Sequence, residues 1–168
     1  MSIIDTLITD RTEQDVVEWQ TLKDVEYSLM TLNQKSKWDS DMKGSYNISD
    51  LNRVAQALIY LKNELNGYGY YVPTLTVKTD WVVTDIPTTT QTSNYLTDVS
   101  NLRNVLSLPS DTPNVPSTMN LFTYNEANDI ENICVIIENI IYKITQSFYR
   151  LNAGPNNWCG NGYRIPTP

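Results

Sequence analysis

Apolar residues recur at three- and four-residue intervals in four stretches of the chain, and between those stretches the pattern changes character. Over residues 11–33, Val16, Trp19, Leu22, Val25 (or Tyr27), Leu29 and Leu32 keep helical spacing. Asp10 is the expected N-cap, and Glu13 three residues on completes a capping-box pattern with an acidic cap. Over 50–66, Leu51, Val54, Leu58, Leu61 and Leu65 fall on one stripe of a second helix. Ser49 is its expected N-cap and Asn66-Gly67 its stop, since glycine accepts the left-handed conformation just past a helix end. Over 88–106, Tyr95, Val99, Leu102 and Leu106 form a third stripe, flanked by Leu96 and Val105, and Pro87 suits a first helical turn. Over 124–151 the stripe is Ile130, Ile133, Ile137, Ile140, Ile144, Phe148 and Leu151, opened by a Thr123–Glu126 capping box. Val135, Ile136 and Ile141 widen it, so this helix is expected to be buried on more than one side, at the centre of a bundle.

The remaining segments are not amphipathic in this sense. Residues 34–44 are polar apart from Trp38 and Met42 and read as a connector, with room for one helical turn. Residues 68–86 are rich in aromatic and β-branched types, and the alternation in Leu75-Thr76-Val77-Lys78 suggests a short strand or an extended arm. Pro73 limits any strand there to an edge. Thr84-Asp85-Ile86-Pro87 reads as a turn into the third helix, and Pro109, Pro113 and Pro116 enforce a loop after it. Residues 153–168 hold three of the six glycines and three of the eight prolines and read as an extended tail. The fold class expected is therefore mainly α: a bundle of about four helices over residues 1–152, with an aromatic-rich arm between the second and third helices and an extended tail.

The second and fourth helices echo each other. Asp50-Leu51-x-x-Val54 matches Asp129-Ile130-x-x-Ile133, an offset of 79 residues that carries the whole stripe of one helix onto the other. Tyr-Asn precedes both, at Tyr46-Asn47 and Tyr124-Asn125, one residue out of step. Either two amphipathic helices share spacing by coincidence, or a helical unit is duplicated. Asp50 and Asp129 lie near helix starts, where unpaired amides and the helix dipole favour carboxylates.

Composition narrows the chemistry. The chain contains no histidine, which removes the commonest general base and metal ligand and excludes a Ser-His-Asp triad within this chain. The net charge of −7 arises from 12 basic residues scattered among 19 acidic ones, so neither nucleic acid nor an anionic membrane is an expected partner. No apolar run approaches a membrane span, and the residues from Met1 to Asp15 lack the basic start and apolar stretch of a signal peptide. A cytosolic product that can later join a particle is the expectation. Cys134 lies in an apolar helical run and reads as a small hydrophobe, whereas Cys159 sits in the polar tail; a bridge between them stays open.

No motif announces catalysis. Gly67-Tyr68-Gly69 lacks the further glycine, lysine and helix start of a phosphate loop. Asp39 and Asp41 before Gly44 lack calcium-loop spacing. Asn47-Ile48-Ser49 fits a glycosylation acceptor without a secretion signal to support it. Asp80, Asp85 and Glu126 are the carboxylates an enzyme would have to use, and no spacing fixes two of them near a nucleophile. The expectation is a non-enzyme without cofactor or metal. With 11 tyrosines and 4 tryptophans against 2 phenylalanines, the aromatic content favours residues that combine contact area with a polar handle. Tyr68, Tyr70, Tyr71 and Trp81 in the arm and Trp158, Tyr163 and Arg164 in the tail are the candidate partner-binding residues. Cover for the bundle, a protein interface and sugar stacking on Tyr70, Tyr71 or Trp81 all remain open.

Four blocks carry a resemblance. They are Thr9-Asp10-Arg11-Thr12; Met42-Lys43-Gly44-Ser45-Tyr46-Asn47 with Ser49-Asp50-Leu51-Asn52-Arg53-Val54; Lys78-Thr79-Asp80-Trp81 with Asp85-Ile86-Pro87; and Thr123-Tyr124 with Glu126-Ala127-Asn128-Asp129-Ile130-Glu131. Together, over roughly residues 9–150, they resemble a group of bacteriophage and prophage proteins from Gram-positive gut bacteria. The resemblance implies a structural component of a virion, of the tail or baseplate, whose partners are other virion proteins or copies of itself. A receptor- or glycan-binding module of a phage tail is the alternative. Members often end in a short aromatic segment, whereas Asn156-Asn157-Trp158 through Pro168 is longer and more polar.

If the fourth helix is central, Ile137→Asp unfolds the domain, because a charge would replace a buried side chain. A soluble, helical variant with unchanged melting temperature would refute that placement.

Overall fold

The structure, a computed structural model, describes residues 2–152, so the expected tail with Trp158, Cys159, Tyr163 and Arg164 lies outside the described residues. Among those described, the chain is mainly helical, with no β-strand. Its helices are α1 (Glu13–Lys23), α2 (Leu32–Asp39), α3 (Ile48–Gly67), α4 (Thr89–Arg103) and α5 (Tyr124–Asn152), with single 3-10 turns at Ile3–Thr6 and Tyr27–Leu29.

Capping chemistry decides where helices begin, and it corrects several expectations. The first helix starts from Thr12 rather than Asp10: the Thr12 hydroxyl accepts the Asp15 amide, and the Asp15 carboxylate accepts the Thr12 amide. Asn47 rather than Ser49 caps α3, with Asp50 closing the box. Thr88 and Gln91 do the same for α4, and Thr123 and Glu126 for α5 as expected. A fifth box, Thr31 with Gln34, splits the expected 11–33 helix in two. The periodicity of Leu29 and Leu32 loses to that local cap; Leu32 is 86% exposed, while Leu22 and Met30 are buried. At the far end of α3, Gly67 stays helical. Gly69 (φ 85°) takes the left-handed position instead, and the Gly69 and Tyr70 amides donate to the Asn66 and Leu65 carbonyls in a Schellman closure.

Helices α3 and α5 lie side by side and run in the same direction. Arg53 meets Glu131, Tyr60 meets Glu138 and Tyr68 meets Thr145, so an advance along one helix matches an advance along the other. Helix α4 packs against both. It begins at the same end, where the Tyr95 and Tyr46 hydroxyls meet at 2.6 Å. Three like-directed helices require the chain to travel back between them, and residues 70–87 make the first return as extended backbone without a sheet.

Helix side chains satisfy that returning backbone. The Val72 amide donates to Asn66 Oδ1 (3.1 Å) and the Thr76 amide to Asp98 Oδ2 (2.6 Å). The Trp81 amide donates to Asn52 Oδ1 (2.8 Å), while Asn52 Nδ2 donates to the Trp81 carbonyl (2.9 Å). The N-terminal segment is held alike: the Ile8 amide donates to Glu131 Oε2 (2.6 Å), and Asn128 both accepts the Arg11 amide (3.0 Å) and donates to the Arg11 carbonyl (2.9 Å). The alternation at 75–78 thus marks an extended segment whose neighbours are helices.

The echo between the second and fourth expected helices is real at an offset of 76 residues rather than 79. Asn47 and Thr123 are the two N-caps, Asp50 and Glu126 the two box partners, and Asn52 and Asn128 the two backbone clamps. Buried Leu51, Val54, Ala55, Ala57, Leu58, Leu61 and Leu65 map at that offset onto Ala127, Ile130, Glu131, Ile133, Cys134, Ile137 and Ile141, all of them buried. The caps Thr12 and Thr88 share the interval. Hence Ile141 points inward, while Ile140 and Ile144, expected on the stripe, are half-buried and Phe148 is exposed. Helices α3 and α5 share the centre, so α5 is not alone there.

Gly44 sits against α1, where a Cβ would overlap the Asp15 carbonyl and approach Trp19 Cβ to 2.9 Å. Gly44→Ala is therefore expected to push α1 off the bundle, lowering the melting temperature and shifting Trp19 fluorescence toward that of an exposed indole. Unchanged fluorescence and melting would show that α1 is not held there.

Candidate functional site

The N-terminal ends of the helices enclose a group of four charges, three of them buried and the fourth, Arg53, half-buried. Arg11 (4% exposed) enters from the segment before α1, Asp50 and Arg53 from the first turns of α3, and Glu131 (0%) from the second turn of α5. Arg11 Nη2 donates to Asp50 Oδ1 and Glu131 Oε1, both at 2.7 Å, and its Nη1 to the Ile8 carbonyl at 2.6 Å. Arg53 Nη2 bridges the same two carboxylates, pairing with Asp50 and reaching Glu131 Oε1 at 3.3 Å. The second oxygens are also used, Asp50 Oδ2 by the Asn47 amide (2.8 Å) and Glu131 Oε2 by the Ile8 amide. Two cations face two anions, so the group is neutral.

Its surroundings are aromatic. The Arg11 guanidinium lies 5.4 Å from the centre of the Tyr46 ring, which packs edge-on to Phe122 at 5.0 Å. Burial, reinforced by the charge of Glu131, pushes the Tyr46 phenol far above its ordinary range. Burial likewise raises Tyr95, helped by its contact with Tyr46. Burial and Glu131 together push the Cys134 thiol up to about 12, so it behaves as the small hydrophobe expected. Burial pulls Arg53 down, but Glu131 and Asp50 hold it above its ordinary value. These shifts keep phenols and thiol neutral and arginine charged, a set suited to holding elements in place.

Over this network opens a cleft of about 680 Å³, walled by Trp19, Tyr46, Leu51, Met119 and Phe122, with Arg11 among its lining residues. Sequence reading missed it, together with Arg11, Glu131 and the two asparagine clamps. One signal was available: at the corrected offset, Glu131 replaces Ala55 on an otherwise apolar face, and a lone acid on such a face needs a cation.

The candidate partner-binding residues do not gather. Tyr68 stacks on Phe148 at 6.1 Å and hydrogen-bonds Thr145. Trp81 is only 8% exposed and sits in the core, under Lys78 at 5.1 Å, so its ring is not offered to a partner or a sugar. Tyr70 and Tyr71 remain at the surface, Tyr71 at 82% exposure. No cluster of arm aromatics forms, and Trp158, Tyr163 and Arg164 fall outside the described residues.

The acids weighed for catalysis, Asp80, Asp85 and Glu126, and those weighed for a calcium loop, Asp39 and Asp41, each lie beside a donor. Asp80 lies 3.8 Å from Lys78. Asp85 closes a turn by accepting the Val82 amide (3.0 Å) and Lys78 Nζ (2.8 Å). Glu126 completes the α5 cap. Asp39 accepts the Tyr27 hydroxyl, and Asp41 pairs with Asn47 and Ser49. Among the described residues, no helix is long and apolar enough to cross a membrane. No protein-family model, curated protein or solved structure matches the chain.

Removing one member of a buried, balanced ion group strands the others. Arg11→Met should cost about 3–5 kcal/mol in urea unfolding. Lys37→Met, which breaks the surface pair with Glu18, should change stability by less than about 1 kcal/mol. Equal effects would show that the network carries no special weight.

Proposed function

We propose that this protein is a structural component of a bacteriophage virion, of the tail or baseplate, that works through contacts with neighbouring protein subunits. One observation carries the contact reading: a pinned turn presents apolar side chains to solvent. Val82, Val83 and Ile86 are 55%, 92% and 86% exposed on the turn after Trp81. The Asp85 amide donates to the Val82 carbonyl at 2.8 Å, Asp85 holds Lys78, and Asn52 clamps Trp81 at the base. A partner meeting this turn has little ordering entropy to overcome, because the backbone is already fixed. Exposed apolar residues displayed on rigid backbone are a mark of protein interfaces.

The virion part of the reading rests on the resemblance. Its blocks contribute Arg11, Asp50, Arg53 and Glu131 to the ion network, and Asn52, Asn128 and Trp81 to the backbone clamps. The likeness therefore falls on the residues that hold the fold together, as expected for proteins that share a scaffold.

The double variant Val83→Asp/Ile86→Asp tests the contact surface. It should melt like the parent, since both side chains are exposed, yet fail to enter particles when supplied in place of the wild type. Normal incorporation of the variant would remove the turn as the interface, and absence of the wild-type protein from purified particles would remove the virion reading.

A further inference from the structure

Helix α5 outruns the bundle around it. At the 76-residue offset, Gly67 at the end of α3 corresponds to Lys143, yet α5 continues to Asn152, about two turns further. The inward stripe of buried Ile137 and Ile141 runs on into this overhang through Ile144 and Phe148. Tyr68, just past α3, stacks on Phe148 and hydrogen-bonds Thr145, but Phe148 is still 51% exposed. Ile140, Lys143, Ile144, Ser147 and Phe148 line an almost wholly apolar groove of about 260 Å³. Ligand pockets start near about 300 Å³, so a groove of this size suits a single large side chain. The chain that follows α5 supplies one. Ala153-Gly154-Pro155 contains the glycine and proline that end helices and turn the chain. Trp158 is then the first large apolar residue, ahead of Tyr163 and Ile165. The reach matches: Ile144 lies about 12 Å before Asn152 along the helix axis, and extended backbone from Pro155 to Trp158 covers about 13 Å. A segment tethered beside the groove also acts at millimolar effective concentration, above that of a separate subunit in dilute solution.

We propose that residues 153–168 turn back at Gly154-Pro155 and seat the Trp158 indole in this groove, between Ile144 and Phe148. The indole extends the Tyr68–Phe148 aromatic pair and covers the exposed half of Phe148. The Ser147 hydroxyl donates to the Lys143 carbonyl and keeps lone pairs for the indole N–H. The segment is then a strap on its own helix, closing the foot of the bundle. The assignment is independent of the virion reading.

Cysteine cross-linking on the full-length chain tests this. Cys159 stands beside Trp158, whereas Cys134 is buried, its thiol pushed up to about 12, and stays out of the exchange. Ser147→Cys places a thiol in the groove, and Gln146→Cys places one at a similar distance from the strap on another face; both positions are exposed. Under mild oxidation, the intramolecular 147–159 disulfide should form at least about tenfold faster than the 146–159 disulfide, since tethering alone favours both alike. Acrylamide quenching of Trp158, taken as the difference between the parent and Trp158→Phe, should be about threefold or more weaker than that of N-acetyltryptophanamide. Ile144→Asp should abolish that protection while leaving the helical circular dichroism unchanged. Equal cross-linking at both positions, or an indole as accessible as the free one, overturns the strap. Unchanged protection in Ile144→Asp overturns the groove as its seat. A 147–159 disulfide joining two chains overturns the assignment to the same molecule and makes the groove a contact between copies.

Discussion

The constraint on which the structure depends is charge balance among side chains removed from most of their water. Arg11, Asp50, Arg53 and Glu131 come from three separate segments, and each is tolerable only because the others are present. Such a group contributes little net energy compared with a well-packed apolar one, but it is intolerant of misplacement. A slip of α3 against α5 by one turn would part Arg53 from Glu131 and Asp50 from Arg11, because Asn128 and Glu131 hold the Arg11 segment to α5, and the balance of charges would be lost. The network thus fixes the register of two helices whose leucine and isoleucine faces would pack acceptably in other registers.

A second constraint follows from running helices in one direction. The chain must return between them, and a returning backbone needs partners for its amides and carbonyls. Here the partners are helix side chains. Asn52 and Asn128 each offer an acceptor and a donor to a single residue, much as a neighbouring strand would, and Asn66, Asp98 and Glu131 supply further acceptors. This explains how a segment with strand-like composition stays extended without forming a sheet.

Periodicity made the helices of the core legible in sequence, since Leu51, Val54, Leu58 and Leu61 or Ile130, Ile133 and Ile137 can be read from spacing alone. Where two local signals competed, spacing misled. Leu29 and Leu32 kept the helical period, but the Thr31–Gln34 box ended it, and Gly69 rather than Gly67 had the geometry to close α3. The site was largely hidden because its members are long-range partners: Ile8 and Glu131 are 123 positions apart. Trp81 illustrates the limit of composition, since an aromatic in an extended segment is equally at home in an interface or a core, and only the Asn52 clamp decides.

Because α3, α4 and α5 begin together, the molecule has a head and a foot that differ in kind. The head gathers the ion network, the aromatic cleft and the helix starts, while the foot carries the Gly69 closure and the pairing of Tyr68 with Phe148. Two copies stacked along the helix axes therefore join either unlike ends, head to foot, which repeats into a directional array, or like ends across a two-fold axis, which closes on itself.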